Sequence, residues 1–202
     1  QAVKPELHGF VAFNDAWFSD GVFIHVPTNH VLTKPIHILN IVTHADMLAA
    51  TRNVVVVDCS TETTLIETFA ATTDEAYLST SVTEVFVGEN ATLTHYKCQA
   101  ESDKAYHFGG TYVKQAQQAR FNHHNFAFGG LLARSDIHTD LDQASECELN
   151  GLYLGVKRQH LDNHTRINHL KPHGISRELY KGVLDDRARG VFQGRVLVAE
   201  DA

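Results

Sequence analysis

The chain has 202 residues, 43% of them hydrophobic, and a formal net charge of −7. This length suits one domain with a substantial core, and the absence of a long basic run disfavours nucleic acid or an anionic membrane surface as a partner. The longest apolar runs, such as residues 54–57, are far too short to cross a bilayer.

Residues 1–50 predict the strands that begin a solenoid. Residues 1–20 look irregular, with short strands possible at 10–13 and 17–18. The turn at Asp20 and Gly21 precedes an alternating strand that ends at Pro27, and residues 36–42 form a further strand. We assign residues 1–50 to these first strands and residues 51–202 to coils of the same single domain. The chain ends directly after a strand-like segment, which suggests a fragment of a longer protein.

From residue 63 onward, a triplet of small, polar and large apolar residues recurs at equal intervals along the chain. The small members are Thr63, Ala91, Ala119 and Cys147, and the large ones are Leu65, Leu93, Phe121 and Leu149. Alternation of this kind is typical of a half-buried strand, and its recurrence at a fixed step indicates a solenoid. We therefore expect Ala91, Ala119 and Cys147 to form one continuous interior stripe.

Two further columns accompany the triplets. Seven residues after the small positions come Ala70, Cys98, Phe126 and Leu154, and nine after them come Thr72, Ala100, Phe128 and Val156. We expect these columns to form a second inward-facing cluster beyond a bend, which makes Cys98 and Cys147 buried core residues and leaves Cys59 undecided. Three cysteines without a CxxC pattern favour a reducing compartment.

The coil length itself predicts the fold. At about 3.3 Å per residue, a coil of about 28 extended residues has a contour of roughly 90 Å, which suits a flattened turn with a sheet on each broad side. Neighbouring coils then lie about 4.8 Å apart and are joined by parallel ladders. The prediction is an all-β, parallel β-helix of about 28 residues per coil. A last triplet at 189–191 follows after one and a half repeats, so it belongs either to an extra half-coil or to the opposite sheet.

Histidine is abundant, and one column places two histidines on adjacent coils. Four residues after the small positions come Glu67, His95, His123 and Gly151. His95 and His123 could therefore share a metal ion. The alternative, a polar corner without metal, is favoured because a metal site needs three or four ligands.

The remaining polar clusters carry no recognised motif. Pro172 disfavours a helix around His164, His169 and His173, so these histidines are expected to cap a coil or face a partner. No GxSxG, Walker-A or GxGxxG sequence is present, and hence no cofactor-binding motif.

An acidic segment follows residue 135. Asp136, His138 and Asp140 share one face of an extended segment, with Asp142 close by. They could bind calcium or act in acid–base chemistry. The alternative, which we favour, is a solvated outer face.

Several segments resemble the SufB/SufD family. Residues 18–27 and 32–37 are similar to its first strands, and residues 168–176, 180–182 and 189–194 to its later coils, all in the correct order. Residues 126–130, followed by Ala133 and Arg134, look closer to the SufD branch. The family markers in these segments are His169, Pro172, His173, Ser176, Lys181 and Gly182.

The resemblance implies a right-handed parallel β-helix that serves as a non-enzymatic scaffold subunit of the SufBCD iron–sulfur cluster assembly complex in the bacterial cytoplasm. It implies a SufB-like partner, which pairs through its own β-helix, and a SufC-like ATPase held by a C-terminal helical region beyond the segments matched here. It places the iron–sulfur cluster at the level of the complex and carries no catalytic or ligand residue onto this chain.

Two other classes of protein stay open as alternatives. A carbohydrate-active β-helix enzyme needs a groove with exposed aromatic residues, whereas Phe121, Phe126 and Phe128 fall in columns expected to face inward. A polymerising structural β-helix predicts open-ended filaments. Because the end of a solenoid is a template for pairing, we also expect a homodimer through the last coil.

Overall fold

The computed structural model describes residues 2–3 and 8–202, and the described part consists mainly of β-strands. It begins with one helix, α1 (Gly9–Trp17). The strands that follow are β1 (Phe23–Val26), β2 (Ile36–Val42), β3 (Leu48–Val57), β4 (Glu62–Ala71), β5 (Leu78–Val87), β6 (Thr92–Ala100), β7 (Tyr106–Gln115), β8 (Arg120–Ala127), β9 (Leu132–Leu141), β10 (Glu146–Gly155), β11 (His160–His169), β12 (Ile175–Leu184) and β13 (Arg189–Val198).

Successive strands alternate between two parallel sheets. The odd-numbered strands form a seven-stranded sheet in the order β1-β3-β5-β7-β9-β11-β13, and the even-numbered strands form a six-stranded sheet from β2 to β12. Each pair of successive strands is thus one turn, and each strand pairs with the strand one turn away. The predicted parallel β-helix is confirmed. Val191 lies on β13, in the sheet opposite the triplets, so no extra half-coil exists at this point.

The length of a coil varies, so the uniform step expected from the triplets is wrong. In the six-stranded sheet Glu62 pairs with Thr92, Thr92 with Arg120, and Arg120 with Glu146, so each step is two positions shorter than the one before. Only the middle step equals the expected one, and the other two differ from it by two positions. Since side chains alternate between the two faces of a strand, a shift of two positions leaves every triplet facing inward.

The column of small residues contains Ala91 and Ala119 as expected, but its first and last members each lie two positions earlier in the chain than expected. Successive coils are joined here by backbone bonds from the N–H of Thr92, Arg120 and Glu146 to the carbonyls of Thr61, Ala91 and Ala119. Cys147 is buried as expected, but it pairs with Phe121 rather than stacking on Ala119. The observed small column is Thr61, Ala91, Ala119 and Ser145.

The two further columns face outward, contrary to expectation. The first column lies an odd number of residues from the inward triplet on the same strand, so its side chains face outward. The second column lies at the strand ends or directly after them. Phe128 and Leu154 are each 40% exposed, and Cys98 and Phe126 are only half-buried on the outer face. Cys98 is therefore not a core residue. The core between the two sheets is completed instead by Val85 and other residues of the seven-stranded sheet.

Helix α1 replaces the irregular segment or short strands expected in residues 1–20, of which residues 1 and 4–7 lie outside the described residues. Val11 packs with Val82 and Tyr112 on the outer face of the seven-stranded sheet. The buried Asn14 side chain donates a hydrogen bond to the carbonyl of Thr51, 3.0 Å away. No helix of the described chain has the length and apolar character needed to span a bilayer.

A tight turn precedes each member of the small column, and its second residue has left-handed backbone dihedrals. These residues are Ser60, Asn90, Gln118 and Ala144, with φ between 52° and 58°. A left-handed conformation costs an L-residue with a Cβ roughly 1–2 kcal/mol.

Because glycine avoids this cost, we expect Ala144→Gly to raise the free energy of unfolding by about 0.5–1 kcal/mol in urea denaturation.

The matched control is Ala119→Gly, at a turn-flanking position outside the left-handed region. There glycine only loosens the unfolded chain and removes a buried methyl group, so the free energy of unfolding falls by about 1 kcal/mol. Equal effects of the two substitutions would contradict the assigned backbone conformation.

Candidate functional site

Two histidines meet inside the solenoid. His95 on β6 and His123 on β8 are register partners, with their Nδ1 atoms 3.2 Å apart and their rings at 61°. Both side chains are essentially inaccessible, at 0% and 1% exposure. Gly151 is not the next member of this column, because His123 pairs with Leu149 on β10. The histidine pair is thus flanked by apolar side chains along the solenoid axis.

A buried carboxylate lies beside this pair. Glu67 Oε2 is 3.4 Å from His95 Nε2, and Glu67 Oε1 accepts hydrogen bonds from Asn53 and Thr83 on the opposite sheet. Burial by itself raises the pKa of Glu67, but the contacts with His95, the charge of Lys97 and the hydrogen bond from Thr83 outweigh it and leave the pKa below its ordinary value. Glu67 is therefore ionised at neutral pH.

Lys97 is the register partner of Glu67 and is 2% exposed. Burial lowers the pKa of its ammonium group, and the nearby carboxylates offset this effect only partly. The Nζ atom lies 5.3 Å from the centroid of the Phe69 ring. It also occupies the space above Gly109, where a Cβ would collide with it. Gly109 thus makes room for a lysine inside the coil.

A second buried carboxylate, Glu101, stands next to this lysine. Its Oε1 accepts a hydrogen bond from Ser79 at 2.8 Å, and its Oε2 lies 2.8 Å from His107 Nδ1. Burial raises the pKa of Glu101, but His107, Ser79 and Gln99 together bring it below its ordinary value. A Cβ added to Gly109 would also lie only 2.7 Å from His107 Nε2, so Lys97 and His107 both approach this glycine.

The interior therefore holds a chain of charged and polar groups across three coils, which we call the internal polar cluster: Glu67, His95, Lys97, Glu101, His107 and His123. The two carboxylates are balanced by one ammonium group and by the imidazoles beside them. Burial, followed by electrostatic repulsion from the neighbouring His95, Lys97 and His124, holds the pKa of His123 well below its ordinary value, so His123 is neutral.

This cluster has the chemistry of a structural network rather than of a metal centre. His95 and His123 supply two facing nitrogens, whereas a zinc site needs three or four ligands. Among residues 2–3 and 8–202, no group of three or more histidine, cysteine, aspartate or glutamate side chains could hold a metal ion. The metal-ligand role of His95 and His123 stays a prediction without a third ligand.

The acidic segment on β9 is not a solvated face. Asp136 is 5% exposed and forms two hydrogen bonds with Arg134, at 2.8 and 2.9 Å. His138 packs against Tyr112, with ring centroids 5.0 Å apart, and burial lowers its pKa to about 4. Asp140 accepts a hydrogen bond from Asn168. These three side chains share an outer face, as expected, but each is engaged separately.

The structure also places His164, His169 and His173 in separate environments. His164 pairs with Asp162 at 2.8 Å, and His173 occupies the turn between β11 and β12 with a φ of 69°. His169 and Ser176 close that turn through a contact of 3.0 Å from Nε2 to Oγ.

The other markers are structural as well. Pro172 accepts a hydrogen bond from the N–H of Ala144 on the neighbouring coil. Gly182 leaves the space that the Tyr153 ring occupies, while Lys181 is exposed on the outer face of β12. Pro172 and Gly182 therefore shape the turn and the coil packing, whereas Lys181 is a surface residue.

Sequence reasoning missed the pairing of Glu67 with Lys97 and that of Glu101 with His107. Strand parity would have placed Lys97 inside, because it lies two residues from His95 on the same strand. A charged residue at an inward position indicates a buried partner, but the identity of that partner depends on the register between coils.

The chain is similar to known proteins of one kind. The SUF system FeS cluster assembly, SufBD core domain family matches residues 40–202. An iron–sulfur cluster assembly SufBD family protein of Synechocystis is 30% identical over 96% of this chain and 45% of its own length. The iron–sulfur cluster assembly protein SufD of Escherichia coli is 32% identical over 70% of this chain and 34% of its own length.

A chloroplast protein of Arabidopsis thaliana, ABCI7, is 32% identical over 71% of this chain and 31% of its own length. The chain thus spans less than half the length of these curated relatives.

The carboxylate of Glu67 is expected to be essential for stability. Glu67→Gln removes the carboxylate that contributes most to stabilising the buried Lys97 ammonium group, so the free energy of unfolding falls by about 3 kcal/mol. Glu62→Gln, on the outward face of the same strand, changes it by less than about 0.5 kcal/mol. Urea denaturation of both variants measures the difference, and equal effects would contradict the internal pairing.

Stability is also expected to fall as the pH drops below about 6.5. The folded pKa of His123 lies well below its unfolded value, so only the unfolded chain binds this proton there. Between its unfolded and folded pKa, each such histidine makes the free energy of unfolding fall by about 1.4 kcal/mol for every unit by which the pH drops. His123→Gln removes one slope of this size between pH 6 and 5, measured by urea denaturation. An unchanged slope would contradict the assignment.

Proposed function

The chain belongs to the SufBD core-domain family of iron–sulfur cluster assembly proteins, and we propose that it is a SufD-like scaffold subunit of a SufBCD-type complex. The observation that carries the proposal is the coincidence of two boundaries. The family match begins at residue 40, within β2, and continues through β13, so it spans the stacked coils and leaves out α1 and β1. The stack of coils is thus what this chain shares with the family.

The unpaired edge strands at the end of the solenoid support a role in assembly. Edge strands carry unpaired backbone N–H and C=O groups, which are templates for pairing with another chain. In the described chain β12 and β13 are the edge strands of the two sheets at one end of the solenoid. A SufB-like subunit that is itself a solenoid would present edge strands of the same kind.

The reactive side chains support a non-catalytic role. The internal polar cluster is buried, and its carboxylates are paired with His95 and His107. In this proposal the iron–sulfur cluster is cargo of the whole complex, and a SufC-like partner hydrolyses ATP. Cys59, Cys98 and Cys147 are all free thiols, which supports a reducing compartment such as the bacterial cytoplasm.

The acidic segment on β9 disfavours the carbohydrate-enzyme alternative, because its carboxylates are already engaged, although Phe126 and Phe128 do lie on the outside. Asp136 is neutralised by Arg134, and Asp140 is held by Asn168. A glycosidase needs two acids that flank an accessible bond.

Co-purification tests the proposal. We expect the tagged full-length protein, co-expressed with SufB-like and SufC-like proteins, to recover both in one complex. After anaerobic iron and sulfide reconstitution, we expect cluster absorbance in the complex and none in the full-length protein alone. Recovery of neither partner, or formation of a cluster by the protein alone, would overturn the scaffold role.

A further inference from the structure

The first coil of the solenoid is incomplete and leaves a cavity at its start, which we call the first-coil pocket. Strand β1 pairs only with Val54–Val57, the second half of β3. Over the first half of β3 the described chain provides only residues 19–20, held by backbone hydrogen bonds and by the isolated bridge from Asp20 to Thr51. The inward side of β3 is therefore open near Ala49 and Thr51, and a cavity of about 420 Å³ lies there between β2 and β3.

The first-coil pocket has mainly apolar walls, and its charged groups are acidic. Val42, Met47 and Phe69 are among the apolar side chains that line it. Its two carboxylates belong to Asp20, which is exposed, and to Glu101, which is buried. No lysine, arginine or histidine of the described chain lines it. A cavity with a few polar groups in an apolar wall has the usual form of a small-molecule site, and its two acids favour a cationic ligand.

The carboxylate of Glu101 has capacity for a further hydrogen bond. Its Oε2 accepts a hydrogen bond from Gln99 at 3.2 Å and lies 2.8 Å from His107 Nδ1. Its Oε1 accepts one hydrogen bond, from the Ser79 hydroxyl at 2.8 Å, and a carboxylate oxygen can accept two. Ser79 also lines the pocket, so this less occupied oxygen belongs to the side of Glu101 that the pocket reaches.

A hydroxyl without a partner points to a ligand at the same place. Thr51 lines the pocket from the inward side of β3, where it is the register partner of Ser81. Its Oγ1 is buried and has no hydrogen-bond partner in the described chain. Buried polar groups in folded proteins are nearly always hydrogen-bonded, because an unpaired one is destabilising. Asn40 lines the pocket from β2, and its side-chain oxygen is another acceptor.

We propose that the first-coil pocket binds a small organic amine in its protonated form, with the ammonium group at Glu101 and the apolar body along Met47 and Phe69. A primary ammonium group has three N–H donors and no acceptor. The oxygens of Glu101, Thr51 and Asn40 supply three acceptors, one of them charged, which strengthens its hydrogen bond. This binding site goes beyond the proposed scaffold role and does not depend on it.

Other classes of ligand fit the first-coil pocket less well. An anion would meet the carboxylates of Asp20 and Glu101 without a basic side chain to offset them. The part of the chain that the structure describes offers a metal ion no group of three or more histidine, cysteine, aspartate or glutamate ligands. A bare ion would also leave the apolar walls unused, whereas an amine with an apolar body contacts both the walls and the acceptors.

Calorimetric titration of the full-length protein at neutral pH tests the ligand class with three probes of similar apolar body: phenethylamine, phenethyl alcohol and phenylpropanoate. We expect phenethylamine to bind with a Kd of about 1 mM or lower. The alcohol is expected to bind about 10-fold more weakly, because it lacks the charge that meets Glu101, and phenylpropanoate not measurably. An alcohol that binds as tightly as the amine, or an amine that does not bind, overturns the proposal.

Thr51→Val tests the position of the ligand with a variant that keeps the shape of the side chain. Removing a buried hydroxyl without a partner does not lower the urea midpoint, but it raises the Kd for phenethylamine by about 5-fold to 10-fold. Thr64→Val, on the outward face of β4, is the matched control and leaves this Kd unchanged. A purely structural role of Thr51 predicts no change in the Kd, and that result overturns the proposal.

Glu101→Gln tests the charge in the first-coil pocket. We expect the Kd for phenethylamine to rise by about 10-fold or more, because the amide that replaces the carboxylate is neutral. Glu101 also pairs with His107, so circular dichroism first checks that this variant folds. If it does not fold, the Thr51→Val result decides the proposal. A folded Glu101→Gln variant that binds phenethylamine as tightly as the parent protein overturns it.

Discussion

The parallel ladder between strands one coil apart is the constraint on which the rest of the structure depends. It requires each coil to deliver its inward side chains in register with those of the last coil. Between Glu62 and Glu146 every coil-to-coil step spans an even number of positions, which satisfies this requirement. The next step, from Glu146 to Ile175, spans an odd number and changes the parity of the inward positions. The repeating triplet pattern in the sequence therefore ends at this coil.

The same ladder brings charges together inside the protein. Lys97, Glu67 and Glu101 are costly to bury singly, and they are tolerated because neighbouring coils supply the opposite charge and the hydrogen-bond donors. Breaking the register would leave each of them alone. A buried network of this kind favours one register over alternatives that an aliphatic interior would accept, and a defined register matters for a scaffold whose ends must match a partner.

The two broad faces of the solenoid differ in what covers them. Helix α1 lies on the seven-stranded sheet, where Val11 and Asn14 are buried. The six-stranded sheet has no comparable cover within residues 2–3 and 8–202, and its outer face is apolar along one side and polar along the other. The family relationship accounts for the coils, and the position of α1 accounts for the difference in exposure between the two faces.

The sequence by itself determined the parallel β-helix, the approximate coil length and the inward position of Leu65, Leu93, Phe121 and Leu149, because alternation with period two is a local property. It also placed His95 beside His123, since the step between their coils equals the interval between the triplets. Only the tertiary structure decided that Phe126 and Phe128 face outward, that Cys147 lies against Phe121, and that Glu67 pairs with Lys97. These outcomes depend on the length of each coil and on the absence of a bend, which long-range pairing fixes and a local pattern does not record.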